Sequence, residues 1–182
     1  MASSARTTFP NTVRIGSLEL GDTNGQAVTA TAAEINRAAD ASSRIVNVTA
    51  STLAVTEADH DSKVVTLNRA AGIAVTLPAA TGSGAKLQFI IGTAVTSNAT
   101  TIKVTGDDTM TGVAILAQDA ADTASVFEAG ATADTISFNG STTGGLKGDC
   151  VELIDIAADL WWVRVVGAAT GTEATPFSAT VT

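Results

Sequence analysis

Apolar and polar positions alternate in short runs along most of the chain. From residue 44 onward, segments rich in Val, Ile and Thr are separated by clusters of Gly, Asn, Asp and Ser. The alternation predicts strands over residues 44–49, 63–68, 73–77, 86–95, 101–105, 113–117, 125–128, 135–138, 150–156 and 160–166. A turn signal every ten residues or so reads as an all-β body over 44–167, a mainly antiparallel sandwich or barrel. No strand signal is followed by a long amphipathic helix, which disfavours a parallel α/β fold. No sequence repeat stands out at the periods that mark solenoids.

The clearest pair of strands closes the body. Residues 150–156 and 160–166 flank Ala157, Ala158 and Asp159, which predicts a three-residue hairpin loop. Trp161 and Trp162 are adjacent, so they point to opposite faces of their strand. One is expected in the core and the other against a further layer or a neighbouring subunit. Thr56 to Asp61 reads as one helical turn capped by Thr56.

Residues 1–29 read as an extended arm. They hold an alternating stretch over 13–20 followed by turn chemistry at Gly21 to Gly25. Two strands alone are marginal, so this stretch is expected to lie on the body or on another subunit. Residues 30–43 carry the one short N-terminal helix signal. Thr31 and Glu34 form a capping box, and Ala32, Ala33, Ala38 and Ala39 are strong helix formers. Residues 168–182 form a small, polar tail with one apolar anchor, Phe177.

Charge narrows the range of partners. The chain has 182 residues, 10 basic against 18 acidic, for a net charge of −8. Phosphate binding draws on clustered Lys and Arg, and here the basic residues are thinly spread. Neither nucleic acid nor an anionic membrane surface is therefore expected as partner. No run approaches the roughly 18 apolar residues of a membrane span. The N-terminus lacks the apolar core of a signal peptide, so synthesis in a reducing cytoplasm is expected. Only 4% of residues are aromatic, and none is Tyr. With charged residues at 15%, much of the surface must be Ala, Thr, Ser and Gly, a composition suited to contact between subunits.

Catalytic chemistry finds few residues to use. His60 is the only histidine and sits in a polar turn between Asp59 and Asp61, where a solvated position is expected. Cys150 is the only cysteine, next to Asp149 and near Glu152, and is expected as a small core residue with a raised thiol pKa. One Cys and one His cannot complete a zinc site within one chain. Asp107 and Asp108 do not belong to a calcium-loop pattern. The run Gly144 to Asp149 lacks the Gly-Lys-Ser/Thr of a phosphate loop and reads as a tight connection into the strand at Cys150. No nucleophile elbow occurs. The expectation is a protein with no enzymatic activity, no cofactor and no metal.

Several segments carry a resemblance. Residues 29–40, TATAAEINRAAD, are similar to a "TATAAELN" element common in virion proteins of tailed phages. Residues 55–68, VTEADHDSKVVTLN, followed by 74–80, AVTLPAA, resemble a phage pattern T-x-A-D-x-G-K … V-T-L-P-A-A. Residues 127–136, FEAGATADTI, and 144–149, GGLKGD, complete the order. Together they cover most of residues 29–182 and resemble the head decoration, or cement, proteins of tailed bacteriophages. One departure is Ser62, which stands where the pattern has Gly.

The resemblance implies a β-rich body that binds as homotrimers on the outer capsid surface, at threefold positions between capsomers. It implies the major capsid protein as partner, with the arm reaching onto it. The apolar residues expected at capsid or subunit contacts are Phe9, Val13, Ile15, Leu18, Leu20, Trp161, Trp162 and Phe177. The competing expectation is a trimeric tail fibre, tailspike or baseplate module that contacts the host surface.

Overall fold

In the computed structural model, the described residues are 19–20, 26–27, 31, 35 and 44–179. The chain divides into two compact units, Met1–Asp40 and Ala41–Thr182. In the first, strand β1 (Glu19–Leu20) pairs antiparallel with β2 (Gln26–Ala27). The Ile35 amide donates to the Thr31 carbonyl at 3.0 Å, an i→i+4 bond inside the helix that the capping box predicts. The rest of that helix lies outside the described residues, as do Phe9, Val13, Ile15, Leu18 and the side chain of Leu20.

The second unit is all-β apart from one helical turn. Its first half is a stack of three coils, each crossing from one sheet to the other. Coil one is β3 (Ile45–Val48) then β4 (Thr52–Ala54). Coil two is β5 (Val64–Leu67) then β6 (Ala74–Thr76), and coil three is β7 (Lys86–Ile91) then β8 (Thr100–Lys103). Strands β3, β5 and β7 pair in parallel, and so do β4, β6 and β8. The stack is a structural repeat that the sequence does not announce. Its coils are unequal, because Ile45 is level with Val64 and Val64 with Gln88.

The second half completes both sheets. Strands β9 (Thr109–Ala117) and β10 (Ala124–Glu128) form a hairpin at the far edge of the larger sheet. Strand β11 (Thr135–Phe138) joins β8 in the smaller sheet. Strands β12 (Cys150–Ala157) and β13 (Leu160–Ala168) fill the space between β7 and β9, and β14 (Phe177–Ser178) edges β11. The larger sheet runs β10-β9-β13-β12-β7-β5-β3 and the smaller β14-β11-β8-β6-β4. Both are open, so the body is a sandwich and not a barrel. Its ladders divide evenly among the described residues. Five are antiparallel and five parallel, where mainly antiparallel pairing was expected.

One core fills the space between the sheets. Val65, Leu67, Leu87, Phe89, Val151, Leu153, Trp161, Val163 and Val165 face inward from the larger sheet. Val75, Ile102, Ile136 and Phe138 meet them from the smaller one. Each such side chain contributes about 1.5–3 kcal/mol by leaving water. Trp161 has no exposed surface, and Phe177 is buried in the same core cluster. Both were expected at interfaces. Their positions on the inward face of their strands instead commit them to the core. The indole N–H of Trp161 has no hydrogen-bond partner.

Turn chemistry departs from expectation at two points. The β12–β13 loop has two residues, Ala158 and Asp159, because Ala157 already pairs with Leu160. Asp159 takes a left-handed φ of 61°, which Asp tolerates, and a register shift between Asp155 and Ala157 takes up the extra residue. Ser62 has φ 59°, a left-handed backbone conformation that a glycine would adopt without steric cost. No helix among the described residues is long and apolar enough to cross a membrane.

Candidate interaction surface

The polar side chains singled out as chemical candidates are tied into the fold. Helix α1 (Glu57–His60) is capped by the Thr56 hydroxyl, which accepts from the Asp59 amide at 3.2 Å. His60 closes this turn and is buried, not solvated as expected. Its Nδ1 lies 3.1 Å from both the amide and the carbonyl of Thr56. Asp108 is buried and accepts from the Ala80 amide at 2.7 Å. Among the described residues, no three of His, Cys, Asp and Glu are grouped to hold a metal ion.

Two buried carboxylates tie down glycine-rich loops. Asp155 accepts from the amides of Thr81, Gly82 and Ser83, at 2.9, 2.7 and 2.9 Å, and from the Ser83 hydroxyl. Burial pushes its carboxyl up, but the bonds from Thr81, Ser83 and Gly82 outweigh this and bring it down to about 2. Asp149 accepts from the amides of Gly145, Leu146 and Ala168. There burial wins, and the carboxyl stays above its ordinary value. Residues 144–149 thus form the tight connection that the sequence implied.

The surface left for function is the outer face of the larger sheet. Strand alternation sends every second side chain outward, and the register aligns these into rows. One row runs Thr66, Ile90, Cys150, Val166, Ile115, Val126 across six strands. Five of the six are apolar, and the three nearest the β10 edge are exposed: Val166 49%, Ile115 37%, Val126 61%. Cys150 is a half-buried member of this row rather than a core residue. Burial, and then the charge of Glu152, raise its thiol pKa.

The neighbouring rows are mixed. Val64, Gln88, Glu152, Arg164 and Val113 form one, and Lys86, Ile154, Trp162 and Thr111 form the next. The Arg164 guanidinium pairs with the Glu152 carboxylate. Where these rows meet the loop at Ser62 and Lys63, the face hollows into a groove of 450 Å³. Trp162 lines it, half-buried, on the opposite face from Trp161. Of the eight residues expected at contacts, Trp162 is the one that the described structure places on a free surface. The row through Val166 and Val126 was missed. Its members come from strands far apart in sequence, and only the ladder register aligns them.

Comparison of the chain with protein-family models, with curated proteins and with solved structures finds no match.

Proposed function

We propose that this chain is a structural virion protein that decorates and cements the outer capsid surface of a tailed phage. It binds as homotrimers at threefold positions between capsomers and acts without catalysis. The resemblance to head decoration proteins, over most of residues 29–182, supports this reading. The structural observation that carries it is the exposed apolar row on the open face of the larger sheet. Exposed apolar patches rimmed by polar residues mark interaction sites on soluble proteins. Repetition over a shell turns modest contacts into avidity that resists internal DNA pressure.

Copy number tests the reading. In stained gels of purified virions, a band comparable in molar amount to the major capsid band is expected. A small fraction of that amount would reject decoration in favour of a tail fibre, tailspike or baseplate module contacting the host surface.

A further inference from the structure

The groove on the outer sheet face differs from the apolar row beside it. Its lining includes Lys63, Lys86 and Arg164 against the single acid Glu152. Three of the chain's ten basic residues line this one groove, although its net charge is −8. Arg164 answers Glu152, and Asp61 beside the groove accepts from the Lys86 amide, which leaves one net positive charge from Lys63 and Lys86. Trp162 supplies a ring beside them. The other Trp is fully buried, and Phe89, Phe138 and Phe177 are core residues. Gln88 adds an amide on the groove floor.

From this arrangement we infer that the groove binds an acidic saccharide. A pyranose presents a face of C–H groups that packs on an indole ring, while its hydroxyls accept from the Gln88 amide and donate to the Glu152 carboxylate. A carboxylate or sulfate on the sugar meets Lys63 and Lys86, in a concave site with few polar groups that fix orientation. A peptide fits less well. On a sheet face the backbone N–H and C=O groups are already spent in the ladders, and a bound peptide backbone would find only side chains. Nucleic acid fits poorly too, because two lysines neutralise few phosphates on a chain of this charge. The inference is independent of capsid binding and is read on the purified protein.

The test uses the full chain and three probes: a tetramer of galacturonic acid, neutral maltotetraose, and a tetraglutamate peptide. The two Trp indole N–H signals in the NMR spectrum are the readout, assigned with Trp162→Phe. Tetragalacturonate should move the Trp162 signal and leave that of buried Trp161 in place. Maltotetraose should bind at least tenfold more weakly. Trp162→Ala should abolish binding read by isothermal titration calorimetry, with a retained, dispersed Trp161 signal reporting an intact fold. Lys63→Gln with Lys86→Gln should weaken binding about tenfold and flatten its salt dependence. No shift of the Trp162 signal with tetragalacturonate would overturn the inference. So would binding that survives Trp162→Ala, or tetraglutamate binding as tightly as the sugar.

Discussion

Asp155 keeps its charge where water barely reaches it, because five donors from three consecutive residues converge on its two oxygens. Its folded pKa of about 2 lies below the roughly 3.9 of an unfolded Asp. The stabilisation is therefore complete above pH ~4 and is lost as pH falls through ~2, a contribution on the order of 2 kcal/mol. Asp149 works in the opposite sense, since its raised pKa favours the fold at acid pH and that contribution is lost as pH rises through the folded value. Asp155→Asn should lower the urea midpoint at pH 7, and the gap to the parent should narrow below pH ~4 and close below pH ~2. A gap independent of pH would remove the charge from the account. Ser62→Gly should raise stability by about 0.5–1 kcal/mol, because Ser at φ 59° carries a steric cost that Gly does not. A lower urea midpoint would contradict this. Trp161→Ala should cost about 3–5 kcal/mol through the cavity it leaves. Trp161→Phe should cost far less, since it also removes a buried donor with no partner. Equal losses in thermal melts would show that the indole nitrogen is no burden.

Among the elements, β9 depends on one residue. Gly112 has φ 146°, and a Cβ there would lie 1.8 Å from the Val163 carbonyl oxygen on the parallel neighbour β13. Gly112→Ala should cost more than about 3 kcal/mol, whereas Gly130→Ala, with open space around it, should stay within about 0.5 kcal/mol. Similar melting of the two variants would refute the close approach. The ten strands from alternation were legible because most of them bury one face, and alternation is the signature of that burial. Strand β14 has two residues, too few for a period to register. Pairing was less legible than position. Hairpins such as β12–β13 declare themselves through a short turn, but β3, β5 and β7 become neighbours through crossings of unequal length that hide the period. The Trp pair was legible as two opposite faces. Which of them was core depended on partners tens of residues away.

For the whole molecule, the division at Asp40 has a direct test. Removing residues 1–40 should leave a body that melts cooperatively, because the core cluster lies entirely within Ala41–Thr182. On the proposed function that body no longer binds virion heads, and head binding that persists would take the arm out of the contact. Sedimentation of the full chain should give a trimer, and a monomer would count against decoration. The topology also bears on how the chain reaches its structure. The three coils add in sequence order, each onto the one before, so this part can assemble progressively as it is made. Strand β9 cannot. Its parallel partner β13 lies about fifty positions later, and at roughly 5–20 residues per second the ribosome delivers it about 3–10 s afterwards. Until then the interior edge of β9, with Met110, Ala114 and Leu116 behind it, waits unpaired. Slow, non-local closure of this kind sets folding rates in β proteins. The interval between β9 and β13 is thus when a nascent chain is most open to joining the wrong partner, including another copy of itself.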